Sequence, residues 1–305
     1  MAKDFEELLI LAQEKGPKRI SVAVAEDKGV LSAIKIAKDR GIIEPVLVGN
    51  KEKIDSIAKE VGLNLDDVKI IHEEDGIKAS RIATELVTKK EADVLMKGLI
   101  DTSIIMKQVL DREIGLRNEN VISHIALFEV PTYHKIFMVT DAAMNIAPDL
   151  VQKKEIIENA VNMALSIGIS MPKVAVLAAK EKVSPKMEAT IDAGELKSMN
   201  EDGIIKNCIV DGPLALDNAI NEESAKIKGI ESEVAGDADI LIVPDIEAGN
   251  VLYKALTFLA NARSAGLIVG ARAPIVLTSR ADNEEAKLNS IALATLMASM
   301  GGDHV

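Results

Sequence analysis

Residues 238–280 read ADILIVPDIEAGNVLYKALTFLANARSAGLIVGARAPIVLTSR, and they constrain the fold more than any other stretch. The apolar runs at 240–243 and 275–277 are short and rich in β-branched residues, which predicts two buried strands. Each run stops at a polar turn. The first is Pro244-Asp245-Ile246-Glu247; the second is Thr278-Ser279-Arg280-Ala281-Asp282. In an open parallel α/β sheet, ligands sit beyond the carboxyl ends of the strands. Both turns belong at that edge, the second as chemical centre and the first as its binding wall.

The rest of the chain repeats the alternation. Phe5, Leu8, Leu9 and Ala12 stand at helical spacing and predict a helix over 3–14. Strands follow at 19–25, 46–49, 68–71 and 92–96. Helices separate them at 29–39, 51–61 (ended by Gly62) and 79–89, and another comes at 104–110. Strands at 122–130 and 135–139 flank Pro131-Thr132-Tyr133. After Pro148 come helix 150–167, strand 174–178, helix 185–199, strand 208–210 and helix 214–223, and helix 284–300 closes the chain. Strands alternating with helices of about ten residues predict βαβ units and mainly parallel sheets. The length suggests two domains. The turn near 141–149 is the expected boundary: 1–143 with 283–305 forms one domain, and 144–282 the other.

Composition limits the function. The net charge is −12, from 48 acidic and 36 basic side chains, which argues against a nucleic-acid partner. With no Trp, two Tyr and four Phe, a base-stacking platform is not expected either. The single cysteine, Cys208, fits a reducing compartment and reads as a buried thiol. No apolar run approaches the ~20 residues of a membrane helix, and the acidic N-terminal stretch is unlike a signal peptide. A cytoplasmic protein is expected. His72, His124, His134 and His304 show no metal-ligand spacing, and neither a GxGxxG nor a P-loop motif is present.

Four polar turns follow expected strands, at 97–102, 140–145, 244–250 and 278–283. Each is readable as part of a polar cleft or as an ordinary strand-to-helix turn capped by Asp or Asn. Ser279-Arg280 is the most pointed pair. A helix start attracts anions, and a guanidinium fork suits phosphate. Ser279 could donate to an oxygen that gains charge in acyl transfer. The plain alternatives are a turn hydroxyl and a surface arginine paired with Glu284 or Glu285.

These residues carry a resemblance. The pieces ADVLMKGLIDTS, MVTDAAMNIAPD, VAVLAAKEKVSPKMEAT, VDGPLALDNAI, AGDADILIVPDIEAGNVLYKAL and GLIVGARAPIVLTSR resemble, in order, the phosphate acetyl/butyryltransferase family. The TDAAMNIAP form and the short length are more like the butyryl branch. The resemblance implies two α/β domains with mainly parallel sheets and a cleft between them, isocitrate/isopropylmalate dehydrogenase-like. It implies butyryl-CoA + phosphate = butyryl phosphate + CoA, in short-chain fatty acid fermentation. Coenzyme A and phosphate are substrates; no organic cofactor, metal or membrane is implied, and a homodimer or larger homo-oligomer is. Carried over, Ser279 steadies the oxyanion or orients the thiol and Arg280 holds phosphate. The acidic base of the acetyl branch aligns with Ala286, so the expected base here is the adjacent Glu285. Lys97, Thr102, Asp141, Asn145, Pro244, Asp245, Glu247, Asn250 and Arg272 are expected to bind substrate. The competing readings are phosphate acetyltransferase, a nicotinamide-dependent decarboxylating dehydrogenase of the same fold, and a non-catalytic CoA-binding module.

Overall fold

The computed structural model describes residues 2–278 and 282–301. In chain order it begins with α1 (Phe5–Lys15), β1 (Lys18–Ala23), α2 (Lys28–Asp39), β2 (Ile43–Gly49), α3 (Lys51–Val61), β3 (Lys69–His72), α4 (Gly76–Thr88), β4 (Val94–Lys97) and α5 (Thr102–Val109). β5 (Ser123–Glu129), β6 (Phe137–Thr140), α6 (Leu150–Ser166), β7 (Lys173–Leu177), α7 (Glu188–Glu201), β8 (Ile209–Leu214), α8 (Leu216–Ile220), α9 (Glu222–Ile227) and β9 (Ile240–Ile242) follow. α10 (Ile246–Lys254) runs into a π-helical turn, Ala255–Leu259, before β10 (Arg263–Val269), β11 (Ile275–Val276) and α11 (Glu284–Ala298).

Short polar side chains start the helices by taking up free backbone donors. Asp27 accepts from the Val30 N–H ahead of α2, and Asn50 accepts from Lys53 ahead of α3. Asp149 and Gln152 form a reciprocal capping box on α6. Gly62, at φ 72°, ends α3 in the left-handed region.

The chain divides into two compact units. The first holds residues 5–120 and those from 265 onward; the second holds 121–264 and the N-terminal residues before Phe5. In the first unit the strand order is β3-β2-β1-β4-β11-β10, parallel except for β10 against β11. The chain winds outward from β1 to β3 and then returns to place β4 on the other side of β1. That reversal creates a topological switch point between β1 and β4. Ile20, Leu31, Ile34, Leu47, Leu95 and Met96 lie fully buried in this unit. α11 packs against α1 and α2 and is buried on all sides from Ala286 to Met297, as its apolar run requires.

In the second unit the order is β5-β6-β9-β7-β8. β5 and β6 form an antiparallel hairpin with Ala126 opposite Val139; the remaining pairs are parallel. The core gathers Phe128, Phe137, Leu177, Leu214, Leu241 and Val243. Tyr133, in the hairpin turn, donates its hydroxyl to the Ala238 carbonyl at 2.7 Å.

The observed unit junctions differ from the expected 143/144 and 282/283. Pairing of β5 with β6 draws both strands into the second unit, so that unit begins at Val121. The other junction, after Ser264, falls inside β10, a strand the sequence pattern did not predict. The expected helix 214–223 is two short helices, because Asn221 closes α8 and caps α9.

Candidate active site

In the second unit, Thr140 of β6 stands beside Ile242 of β9, and Ile242 beside Val176 of β7. Three turns therefore leave one sheet edge. Asp141, only 3 % exposed, locks the first of them. Its carboxylate accepts from the backbone N–H groups of Ala143, Met144 and Asn145 at 2.9, 3.0 and 3.1 Å. It also accepts from the Asn145 amide at 2.6 Å, and that amide donates to the Ile122 carbonyl as well.

The second turn is fastened to the first. Asp245 caps α10 by accepting from Ala248 at 2.8 Å. The Asn250 amide donates to the Ala142 carbonyl at 3.4 Å, and Ile246 N–H to the Ile146 carbonyl at 3.0 Å. A Cβ on Gly249 would lie 2.8 Å from the Asp141 carbonyl oxygen and 2.9 Å from Ala142 Cα. That packing explains why the motif carries a glycine inside a helix. Asp141, Asn145, Asp245 and Asn250 thus use polar atoms to join two sequence motifs into one piece. Ile146, Glu247 and Asn250 are among the exposed side chains of this edge, with Pro244 half-buried.

The third turn, 178–187, carries Lys180, Lys182 and Lys186, all exposed. It follows β7 at the switch point between β7 and β9, where a polyanion would meet cations. Single-sequence reading named no residue here, although a strand running into Lys-Glu-Lys was the available signal.

In the first unit, Ala23 of β1 faces Lys97 of β4, and β11 ends beside them. Gly98 N–H donates to the Ala23 carbonyl and Leu99 N–H to Val24, at 2.8 and 2.7 Å. A Cβ on Gly98 would lie 2.2 Å from the Val24 carbonyl oxygen, so only glycine passes here. Lys97 is 5 % exposed, and its ammonium donates to the carbonyls of Gly98 and Ile100 at 3.3 and 3.1 Å, inside its own turn. Thr102 is exposed at the first position of α5.

Thr278 is buried just past β11. Ser279 and Arg280 lie outside the described residues. Later in the sequence, Asn283 caps α11 by accepting from Ala286 at 2.8 Å. Glu284 and Glu285 are exposed in its first turn, whereas Ala286 and Lys287 are buried. Arg272 is exposed, but its guanidinium donates to the Gly115 carbonyl and its N–H to Leu116, which ties it to the 111–116 loop.

Other titratable groups sit away from these edges. Asp237 lies at the amino ends of β6, β7 and β9, hydrogen-bonded by Lys135, Lys173 and His134 at 2.7–2.9 Å. Burial pushes its carboxyl up, but those three donors outweigh burial and hold it well below the usual carboxylate range. Burial pushes the Cys208 thiol up to about 12, with a smaller contribution from Glu158, so it stays protonated and inert. Two cavities of about 620 and 680 Å³ open beside His134 and Lys135, at the opposite sheet edge from the three turns. Among the described residues no group of three or more His, Cys, Asp or Glu could hold a metal ion, and no helix is long and apolar enough to cross a membrane.

A family model described as "Phosphate acetyl/butaryl transferase" matches residues 4–80 and 74–295. The chain is 46% identical to the phosphate butyryltransferase of Clostridium acetobutylicum, covering 98% of this chain and 99% of that one. It is 48% identical to the phosphate acetyltransferase of Thermotoga maritima, over 96% and 99%. Among solved structures, a branched-chain phosphotransacylase from Enterococcus faecalis superposes with a TM-score of 0.83 at 35% identity, over 92% of this chain and 99% of that one. A 4-hydroxythreonine-4-phosphate dehydrogenase from Burkholderia phymatum, 11% identical over 92% and 98%, shares the fold with a TM-score of 0.56.

Proposed function

This chain belongs to the phosphate acetyl/butyryltransferase family, and on that premise we propose that it catalyses butyryl-CoA + phosphate = butyryl phosphate + CoA. The observation that carries the assignment is near-complete alignment, at 46% identity, with a phosphate butyryltransferase. The likeness to the hydroxythreonine-phosphate dehydrogenase supports a finer placing among isocitrate/isopropylmalate-type folds.

In the proposed reaction a phosphate oxygen attacks the thioester carbonyl carbon. The C–S bond then breaks, and the CoA thiolate leaves and takes up a proton. Arg280 grips phosphate through its paired N–H groups, and Ser279 donates to the carbonyl oxygen as it gains charge. Glu285 exchanges the thiol proton; it is exposed in the first turn of α11, beside the buried Ala286. A free thiol has a pKa of about 8.5, so a nearby base or cation raises the thiolate fraction. Thr102, Pro244 and Glu247 are the proposed contacts for the remaining substrate atoms. Lys97, Asp141, Asn145, Asp245, Asn250 and Arg272, which also hold the turns, are the remaining proposed substrate-binding residues. The working form we propose is a homo-oligomer that uses CoA and phosphate as substrates and no resident cofactor.

Replacing Arg280 with Ala tests the assignment. Loss of one charge-stabilising donor costs about 10²–10³-fold in rate, and that loss is expected in phosphate-dependent turnover, with the melting temperature unchanged. Unaltered kinetics would remove Arg280 from the reaction.

A second reading replaces butyryl by acetyl, and the likeness to the Thermotoga maritima acetyltransferase favours it. Each additional buried CH₂ contributes ~0.8 kcal/mol, about fourfold, so discrimination between the two acyl groups is graded.

A further inference from the structure

Lys180, Lys182 and Lys186 stand on the turn between β7 and α7, and all three are exposed. Among the described residues none of them makes an ion pair or a hydrogen bond. Elsewhere in the second unit Lys135, Lys153, Lys173, Lys197 and Lys228 are each ion-paired, at 2.5–2.8 Å. The chain has an excess of acid, 48 acidic side chains against 36 basic, yet supplies no carboxylate to this turn's lysines. Crowding three unpaired cations on one turn is unfavourable by mutual repulsion unless an anion binds there. The backbone beneath them is fixed. Glu181, the acidic residue between Lys180 and Lys182, accepts from the Lys228 ammonium at 2.5 Å and from the Asn218 amide at 2.6 Å. Lys228 above all holds that carboxyl below its ordinary value, so Glu181 stays ionised and engaged elsewhere. Farther along, Ser184 N–H donates to the hydroxyl of the fully buried Thr190 at 2.9 Å, and Met187 N–H to the Ser184 carbonyl at 2.9 Å.

A fixed backbone that carries ammoniums on flexible stems recognises charge more than shape, which suits a polyphosphate better than one oxyanion in need of orientation. The turn also leaves the carboxyl edge of the sheet at its switch point, where ligands of such sheets bind. The proposed acyl donor has the matching chemistry. The nucleotide end of CoA carries a diphosphate and a 3′-phosphate, and a phosphate monoester has a charge of about −1.5 to −2 at pH 7. We propose that Lys180, Lys182 and Lys186 bind the phosphates of the CoA nucleotide from the 178–187 turn. This inference rests on the phosphate acyltransferase reading and adds the part of the donor that this edge receives. Those phosphates take no part in bond making, so the contacts are equal in ground and transition states and set KM rather than kcat.

The direct test combines Lys180→Gln, Lys182→Gln and Lys186→Gln in one chain. KM is measured separately for butyryl-CoA and for inorganic phosphate, and calorimetry gives the affinity for adenosine 3′,5′-bisphosphate, a fragment of the CoA nucleotide. KM for butyryl-CoA and Kd for the bisphosphate are each expected to rise about tenfold, from the loss of three exposed charge contacts. The kcat, the KM for phosphate and the melting temperature should stay as in the wild type. Arg at the same three positions keeps the charges and should keep the wild-type constants. An unchanged KM for butyryl-CoA, a rise confined to inorganic phosphate, an unchanged Kd for the bisphosphate, or no rescue by Arg would each overturn the inference. A wild-type chain without phosphate-dependent transfer would instead refute the assignment of function beneath it, and the calorimetric comparison reads the turn separately because it needs no turnover.

Discussion

A buried carboxylate needs donors, and Asp141 finds four within 3.1 Å. Hydrogen bonds to charged groups contribute about 1.5–3 kcal/mol each, so this one side chain decides the shape of its turn. Asp141→Asn would swap one acceptor oxygen for an NH₂ facing backbone donors. A loss of about 2 kcal/mol or more is expected, read as a lower denaturation midpoint, together with slower turnover. A variant as stable as the wild type would show that the carboxylate charge is not what holds the turn. The sequence marked Asp141, Asn145, Asp245 and Asn250 as important without separating recognition from architecture. Composition and spacing cannot make that distinction; their partners, in the two motifs and at the Ile122 carbonyl, show the architectural part. Arg272 was legible as a cation, and the structure adds a bond from its guanidinium to the Gly115 carbonyl that sequence could not show.

At the scale of elements, the amino ends of β6, β7 and β9 are clasped by charge. Asp237 bonds Lys135, Lys173 and His134, while Asp239 pairs with Lys135 at 2.6 Å. The Asp237 carboxyl is held below its ordinary value in the folded state. A depressed carboxylate stabilises the fold above its unfolded pKa of about 3.9, and that contribution is lost as the pH falls below it. The second unit should therefore lose thermal stability as acid is added below about pH 5. Asp237→Asn should melt lower at pH 7 and show a flatter decline on acidification. The same acid slope in both proteins would contradict this. Strands of β-branched residues, β1, β9 and β11 among them, were readable from their composition. β10 was not: it opens with Arg263, Ser264, Ala265 and Gly266, and becomes strand-like only at Leu267-Ile268-Val269. The π-helical turn after α10 has no local signature in Ala255–Leu259 either.

For the whole molecule, alternation of strand and helix was enough to predict mainly parallel sheets, because apolar runs of this length have few other ways to be buried. Which strands share a unit was harder to read. The β5–β6 hairpin and the strand at 263–269 pair antiparallel with strands close in sequence, against the parallel alternation of the rest, and the unit junctions lie beside or within them. The site was legible as motifs at strand ends, while Gly98 and Gly249 gain their meaning only from close contacts. The central claim is that the chain moves an acyl group between CoA and phosphate. Its most direct test is CoA thiol release from acetyl-, butyryl- and branched acyl-CoA, with and without inorganic phosphate. Release that requires phosphate, yields acyl phosphate and varies in graded steps with chain length is the predicted result. Release that is indifferent to phosphate, or none from any acyl-CoA, would contradict it.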